Sequence, residues 1–326
     1  MHGRPPPLGR GCGGAGVPDP PARLRPRRAP PGHRAVNRGG PAVVAIGGGH
    51  GLAASLTAVR CYASAVTAVV SVADDGGSSG RLRELLGIPA PGDLRKCLGA
   101  LVGERSILSD ALEQRFAGAG ELEGHAFGNL LIAALASTAG SFVGAMREAC
   151  RLLGTVGPVL PATTVPVVLK AEAAGCELEG QVRIMASSGI TRVSLVPDDA
   201  EVPAEVTAAI AAADQVVVGP GSLYTSVLAA LAPEPIRRAL RASAARVVYV
   251  CNLREQVPET AGYDVGDHVR ALHAHGVHPH WVVADPDTID VGELPGSSQL
   301  WTGRLAAVGG GVHDPDLLCG ALRGLD

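Results

Sequence analysis

Residues 42–83 read AVVAIGGGHGLAASLTAVRCYASAVTAVVSVADDGGSSGRLR, and the order of patterns within this stretch decides the fold. An apolar run, a glycine turn, a helical pattern, a second apolar run and an acidic glycine-rich loop follow one another. They predict a strand, a loop, a helix, a strand and a loop. Parallel strands bring their C-terminal ends to one edge of a sheet, where open α/β sheets bind ligands. We therefore expect the ligand site at that edge.

The first glycine loop has the chemistry of an anion site. Glycines adopt positive φ and let a ligand approach the backbone without meeting a Cβ atom. Free N–H groups at the start of the helix predicted near Leu52 favour a phosphate. The loop matches neither the dinucleotide motif G-x-G-x-x-G nor a G-K-[ST] phosphate loop, so a structural glycine turn is the alternative interpretation. The candidate binding residues are Gly48, Gly49, His50 and Gly51.

The loop after the second strand adds two adjacent carboxylates. They stand roughly where a nucleotide-binding fold places the acid that binds a ribose hydroxyl. Adjacent carboxylates can also hold Mg²⁺ or start acid–base chemistry, and an Asx-turn with a helix cap is the purely structural alternative. We favour ligand binding. The candidates are Asp74, Asp75, Gly76, Ser78, Ser79 and Arg81.

The segment GDLRKCL, residues 92–98, brings charged side chains to a predicted helix start. Asp93 is expected to cap a helix that begins at Leu94. Arg95 and Lys96 on its first turn could reach a phosphate, although such charges often lie in solvent. Arg95 is the candidate site residue.

The segment GHAFGNLL, residues 124–131, supplies two further polar candidates. His125 and Asn129 can hydrogen-bond a sugar or a base, and they are equally suited to capping the helix that follows. We favour the binding role because Gly128 leaves room beside Asn129.

The second half of the chain repeats the strand, glycine loop and helix pattern in QVVVGPGSLYTSVL, residues 215–228. A second helix N-terminus would then face the same sheet edge, and two such helix starts can hold two phosphates. Another predicted strand ends near Asn252, and Tyr263 in a later loop could stack on a base or sugar. The candidates from this half are Gly219, Gly221, Ser222, Tyr224, Asn252 and Tyr263.

Composition excludes several classes of function. The formal net charge of −3 and the absence of alternating basic and aromatic residues argue against nucleic-acid binding. Seven scattered cysteines with no C-x-x-C pair predict reduced thiols in a cytoplasmic protein. No apolar run is long enough for a membrane span, and the spacing of the histidines between residues 268 and 280 does not match a metal site.

The overall pattern predicts an α/β fold with a Rossmann-like, doubly wound and mostly parallel sheet, helices on both faces and a small β-rich insertion at about residues 157–196. Residues 1–40, rich in Pro, Gly and Arg, are expected to form a disordered tail before a single domain of residues 41–326. A last strand is expected at WVVADP, residues 281–286, with irregular chain over residues 291–310.

Several motifs in order resemble the gluconeogenesis factor family of UDP-N-acetylglucosamine-binding proteins, which is similar to the CofD-like 2-phospho-L-lactate transferases. These motifs are VVAIGGGHGL, SVADDGGSSGRLR, GIPAPGDLRKCL, GHAFGNLL, VVVGPGSLYTSVL, VYVCNL and ETAGYDVGDHV. The resemblance implies a nucleotide-sugar-binding regulator of cell shape and cell-wall homeostasis during gluconeogenic growth. Cell-wall synthesis regulators and a second copy of the chain are the candidate protein partners, and the sequence decides neither.

Two positions depart from the family pattern. His50 stands where the wider family more often has Thr, and Val312 stands where the family has Arg before a His-Asp pair. A lost arginine would remove one charge-assisted contact to a ligand phosphate, worth about 1.5–3 kcal/mol.

Three functional hypotheses follow from these residues. A binding protein needs no catalytic residue, and none is assigned here. A transferase would need Mg²⁺, held by Asp74 or Asp75, to position an attacking hydroxyl. A nicotinamide-dependent dehydrogenase is the least favoured hypothesis, because the glycine loop lacks G-x-G-x-x-G.

Overall fold

The structure is a computed structural model that describes residues 2–3 and 39–325. The chain divides into two units, residues 1–32 and 33–326, and the account below concerns the second. Apart from residues 2, 3, 39 and 40, the predicted tail of residues 1–40 lies outside the described residues.

The described part of the second unit alternates strands and helices. The strands are β1 Ala42–Gly47, β2 Ala65–Val70, β3 Val159–Pro161, β4 Val168–Ala173, β5 Cys176–Glu179, β6 Ile190–Val196, β7 Gln215–Val218, β8 Arg246–Val250, β9 Trp281–Ala284 and β10 Gln299–Thr302. The helices are α1 Gly49–Val59, α2 Gly77–Leu86, α3 Gly92–Leu101, α4 Ile107–Ala111, α5 Phe127–Thr138, α6 Phe142–Leu153, α7 Gln181–Met185, α8 Ala204–Ala211, α9 Ala229–Leu231, α10 Glu234–Ala242, α11 Val265–Ala274 and α12 Pro315–Arg323. A π-helix, Leu223–Leu228, directly precedes α9.

Seven strands form one parallel sheet in the order β10-β9-β8-β7-β1-β2-β3. β1 lies between β2 and β7, so Ile46 is opposite Val69 on one side and Val218 on the other. The central strands are buried runs of Val, Ile and Ala, as parallel strands covered by helices require. The strand order reverses direction at the β1/β7 boundary, which is the topological switch point where doubly wound folds bind ligands. The predicted fold class is confirmed.

A smaller antiparallel sheet, in the order β5-β4-β6, forms the predicted β-rich insertion. β3 belongs to the main sheet, so the small sheet itself occupies residues 168–196. The backbone N–H of Val193 in β6 donates to Nε2 of His275, directly after α11, at 3.0 Å. This hydrogen bond ties the small sheet to the parallel domain.

Three local predictions were wrong. α1 begins at Gly49 rather than near Leu52. Asp93 lies inside the first turn of α3, which starts at Gly92, and its side chain makes no capping hydrogen bond. Finally, residues 291–310 were expected to be irregular, but β10 lies among them. The sequence pattern does not indicate this strand because Gln299–Thr302 is a mostly exposed edge strand that lacks an apolar run. No helix in the described part of the chain is long and apolar enough to cross a membrane.

Candidate functional site

The candidate site lies at the C-terminal ends of the parallel strands, in the crevice beside the switch point. The loops after β1 and β7 meet there through their backbones. A Cβ atom at Gly51 would lie 2.3 Å from the carbonyl oxygen of Pro220, and one at Gly221 would lie 3.4 Å from the carbonyl oxygen of Gly48. The two glycine loops predicted from the sequence therefore share one crevice, and glycine permits their contact.

The N-terminus of α1 is open at this crevice. The N-cap residue, Gly48, has no side chain to cap the helix, and the first turn of α1 holds no acidic residue. The ammonium of Lys96 on α3 lies 4.0 Å from the position that a Cβ atom at Gly49 would occupy. The carboxylate oxygens of Asp93 lie nearer to the same position, at 3.7 and 3.8 Å. The helix dipole and Lys96 favour a phosphate at the first glycine loop, and the charge of Asp93 opposes one.

Asp93 lies beside the same loop and forms an ion pair with Lys96 at 3.0 Å. A Cβ atom at Gly48 would lie 2.6 Å from Oδ2 of Asp93, so the loop packs directly on this buried carboxylate. Partial burial of the ring, and next the charge of Lys96, lower the pKa of His50. Asp93 and Lys96 are charged groups of the site that the sequence did not place at the first loop.

The two carboxylates after β2 have different environments. The backbone N–H of Gly76 donates to Oδ1 of Asp74 at 2.9 Å, and burial raises the pKa of the Asp74 carboxyl. Asp75 accepts a hydrogen bond of 2.9 Å from the backbone N–H of Val182 in the first turn of α7. Asp75 therefore connects this loop to α7, whereas Asp74 faces Asp93, whose charge raises its pKa further.

Ser78, Arg95, His125 and Asn129 form one buried hydrogen-bond network. Nη1 of Arg95 donates to Oδ1 of Asn129 at 3.1 Å, and Nδ2 of Asn129 donates to Oγ of Ser78 at 3.0 Å. Oγ of Ser78 lies 3.0 Å from Nδ1 of His125. Arg95, 2% exposed, also pairs with Glu113 at 3.0 Å. The network fixes the first turn of α2 against α3 and α5, so these side chains shape the wall beside the second loop.

The start of the π-helix, by contrast, is occupied by a carboxylate of the protein. Oε1 of Glu259 accepts hydrogen bonds from the backbone N–H groups of Tyr224, at 2.7 Å, and Thr225, at 3.2 Å. Oε2 accepts from the Thr225 hydroxyl at 3.0 Å. Burial raises the pKa of Glu259, and these three donors oppose that rise. The predicted second phosphate position therefore has two of its amides already bonded, by a residue that the sequence did not indicate.

The loops after β7 and β8 are joined by amide side chains. Asn252 accepts from the backbone N–H of Gly221 at 3.0 Å and donates to its carbonyl oxygen at 2.9 Å. Gln256 donates to Oγ of Ser222 at 3.2 Å. These contacts hold the second glycine loop in a fixed shape at the edge of the crevice.

Two tyrosines lie beside the loops after β7 and β8. The hydroxyls of Tyr224 and Tyr263 lie 2.9 Å apart, and their rings meet edge to face. Tyr224 is buried, while Tyr263 keeps part of its ring accessible. Tyr263 is consequently the aromatic group of this pair that a ligand can contact.

Val312 and His313 are neighbours in the last loop, but one side chain is exposed and the other is buried. Val312 is 62% exposed, and His313 is buried with Nε2 lying 3.1 Å from the carbonyl oxygen of Cys251. Burial lowers the pKa of His313 to about 4. His313 therefore links the last loop to the end of β8 as a neutral side chain at pH 7.

The predicted site residues fall into groups around the crevice. The two glycine loops supply Gly48, Gly49, His50, Gly51, Gly219 and Gly221; the wall beside α2 comprises Asp74, Gly76, Ser78, Ser79, Arg95, His125 and Asn129; and the β8 side comprises Ser222, Tyr224, Asn252 and Tyr263. Asp75 and Arg81 are directed at backbone groups, of Val182 and Glu123 respectively. Among the described residues, no cluster of three or more His, Cys, Asp or Glu side chains is arranged to hold a metal ion.

A cleft of about 840 Å³ lies at the other edge of the sheet, where residues preceding or beginning β7 to β10 meet. Its lining includes Arg246, His273, His278 and Trp281. We place the functional site at the C-terminal edge nevertheless, because helix N-termini and glycine loops converge there and not at this cleft.

Comparison with known proteins gives a consistent family. The family model of the 2-phospho-L-lactate transferase CofD matches residues 43–295. The "Gluconeogenesis factor" of Halalkalibacterium halodurans is 43% identical over 235 residues, which cover 72% of this chain and 73% of that protein. A relative from Mycobacterium leprae, named "Putative gluconeogenesis factor", is 39% identical over 308 residues, which cover 87% of this chain and 86% of the relative.

Not all relatives are matched along their whole length. A relative from Deinococcus radiodurans is 42% identical over 306 residues, which cover 87% of this chain but 65% of that protein. A relative from Nostoc is covered over 53% of its length. Among solved structures, a member of the UPF0052 family from Bacillus halodurans superposes with a TM-score of 0.80 at 33% identity, covering 89% of this chain and 99% of that one.

Proposed function

The chain belongs to the gluconeogenesis factor family of CofD-like proteins, and we propose that it binds a nucleoside diphosphate sugar, UDP-N-acetylglucosamine, in the crevice between β1 and β7. One observation carries the proposal: the N-terminus of α1 has no side-chain cap, and the Lys96 ammonium, paired with Asp93, lies beside Gly49 there. A pyrophosphate group combines two negative charges with acceptor oxygens for several N–H groups. That chemistry matches a helix start reinforced by one lysine.

The polarity of the crevice supports one orientation for this ligand. With the pyrophosphate at α1, the nucleoside extends toward the loop after β2, where Asp74 can accept a ribose hydroxyl. The sugar then extends toward the loops after β7 and β8. Asn252 and the accessible part of Tyr263 lie on that side, and amide and aromatic groups are suited to a sugar that carries hydroxyls and an acetamide.

We propose further that the bound nucleotide sugar makes this chain a regulator of cell shape and cell-wall homeostasis during gluconeogenic growth. The family name supports the metabolic half of this proposal, and the nature of the ligand supports the cell-wall half. Regulators of cell-wall synthesis and a second copy of the chain are the proposed partners.

Isothermal titration of the full chain with UDP-N-acetylglucosamine, with and without Mg²⁺, tests the binding proposal. Lys96→Met should weaken binding roughly ten- to hundredfold, because it removes one charge-assisted contact to phosphate. Lys170→Met is the matched control: Lys170 is also a partly buried lysine in an ion pair, but it lies on β4 in the small sheet. Equal affinities for the two variants would contradict the proposed site.

A second candidate function is a Mg²⁺-dependent phosphoryl-group transferase, and one observation favours it. A Cβ atom at Gly92 would lie 3.0 Å from Oδ2 of Asp74, and the charge of Asp93 is near enough to raise the pKa of Asp74. Paired carboxylates together with substrate phosphates can hold Mg²⁺. Under this alternative, guanine nucleotide binding would require Mg²⁺. Transfer of the 2-phospho-L-lactate group from a guanine nucleotide ester to the hydroxyl of an acceptor would release the guanine nucleotide as leaving group. Metal-independent binding without product formation would leave the sugar-nucleotide proposal standing.

A further inference from the structure

The carboxylate of Glu259 is the feature of the crevice that the binding proposal does not use. It is 2% exposed and lies at the start of the π-helix, immediately after the second glycine loop. In the described part of the chain no ion pair neutralises it. Two backbone amides and one hydroxyl hold it instead. Both of its oxygens act as acceptors, which is the arrangement that an ionised carboxylate makes.

This carboxylate has a consequence for what the neighbouring loop can accept. A helix start with free amides attracts an anion, but here an anion of the protein already binds the amides of Tyr224 and Thr225. A ligand phosphate on this side would meet a filled position and a like charge in a partly desolvated environment, where repulsion is stronger than in water. The α1 end of the same crevice remains open and carries the Lys96 ammonium. Lys96 is paired there with Asp93. In the described chain, one end of the crevice therefore offers unbonded amides beside an ion pair, and the other offers bonded amides beside an unpaired carboxylate.

We infer that Glu259 is a specificity-determining residue that makes the crevice select a nucleoside diphosphate bearing an uncharged sugar over a nucleoside triphosphate. The inference rests on the proposed function, and in particular on the orientation that directs the group beyond the pyrophosphate toward the loops after β7 and β8. An uncharged sugar in that position meets amide and hydroxyl groups without a charge penalty. A third phosphate in the same position meets the charge of Glu259.

Glu259→Gln is the direct test, because glutamine keeps the shape of the side chain and can still accept from the two amides. The variant removes the charge and turns the acceptor that faces Thr225 into an amide donor, to which the Thr225 hydroxyl can be the acceptor. Affinities for UDP-N-acetylglucosamine and UTP are measured by isothermal titration in the wild-type chain and in the variant. The ratio of the two affinities should shift at least about tenfold toward UTP, which is the repulsion of two unit charges about 12 Å apart at an effective dielectric constant of about 20.

Glu255→Gln is the matched control. Glu255 lies four residues earlier in the same segment, is exposed, and accepts a hydrogen bond from the backbone N–H of Gly262. It carries the same formal charge without touching the helix start, so its removal should leave the ratio unchanged. An unchanged ratio in Glu259→Gln, with both nucleotides still binding, would overturn the inference and leave the proposed function intact.

The wild-type chain provides a second test that needs no variant. UTP carries one phosphate more than UDP and would bind more tightly to a site that attracts anions along its whole length. The inference requires UTP to bind no more tightly than UDP, and tighter binding of UTP would overturn it. If the wild-type chain binds neither UDP-N-acetylglucosamine nor UDP, the proposed function fails, and the inference fails with it.

Discussion

Replacement of Gly51 by alanine should force apart the two glycine loops that form the crevice. Gly51 lies in the first turn of α1, and its Cα faces the backbone of the loop after β7. A Cβ atom there would lie 2.3 Å from the carbonyl oxygen of Pro220 and 2.9 Å from the backbone nitrogen of Gly221. All the nearest atoms belong to backbone, so no flexible side chain can rotate away and the loops themselves must move.

The magnitude follows from this geometry and from a matched position. The contact at Gly51 would be about 1 Å shorter than an ordinary van der Waals contact, and overpacking of this kind costs about 1–3 kcal/mol. Gly99, inside α3, has no atom within 4 Å of its Cβ position. Gly99→Ala should therefore stabilise the protein by about 0.5–1 kcal/mol, the ordinary gain of alanine over glycine in a helix.

Urea unfolding at 25 °C of the wild-type chain and both variants measures these effects. Gly51→Ala should lower the unfolding free energy and Gly99→Ala should raise it, so the same chemical change has opposite signs at two helical glycines. Gly51→Ala should also weaken binding of UDP-N-acetylglucosamine, since the open end of α1 shifts with the loop. A Gly51→Ala protein that is as stable as Gly99→Ala would refute the assignment of the loop contact.

Three further predictions concern polar groups. Asn129→Ala should cost about 1–3 kcal/mol in urea unfolding, because it leaves a buried N–H of the Arg95 guanidinium without its acceptor. Asp75→Ala should cost about 1 kcal/mol through loss of the cap on α7, and it should reduce ligand affinity less than Lys96→Met in the same titration. Burial lowers the pKa of His313 from 6.5 to about 4, so the unfolded chain takes up the proton first. The contribution of neutral His313 is complete above pH 6.5 and is lost as the pH falls toward 4, by about 3 kcal/mol; replacing His313 with glutamine should flatten the unfolding free energy measured over that range.

Local sequence patterns predict the central part of the fold well. The strand and glycine-loop signals at residues 42–83 and 215–228 arise from composition within short windows, and both loops lie at the same crevice. The order of the motifs also identifies the family. These features depend on residues that are close in the chain, so the sequence alone carries them.

Contacts between distant segments could not be predicted in the same way. Glu259 binds amides 34 and 35 residues earlier in the chain, and nothing in its own neighbourhood distinguishes it from a surface glutamate. The sequence indicates that Lys96 could reach a phosphate or lie in solvent, but its place beside Gly49 depends on how α3 packs on α1. Asp75 is predicted to bind the ligand because it follows a strand, and the sequence does not indicate that its Oδ1 atom accepts a hydrogen bond from α7. In each case the partner is fixed by tertiary packing.

The placement of β1 in the middle of the sheet has a consequence for synthesis of the chain. The ribosome makes β2 soon after β1, but it makes β7 much later. The backbone N–H of Ala42, at the start of β1, donates to the Asp214 carboxylate, which lies 172 positions later and directly before β7. Until β7 emerges from the ribosome, one side of β1 remains an unpaired edge that can pair with other chains. The crevice is consequently among the last parts to assemble, and truncation before residue 215 should yield a chain that aggregates and cannot form the site.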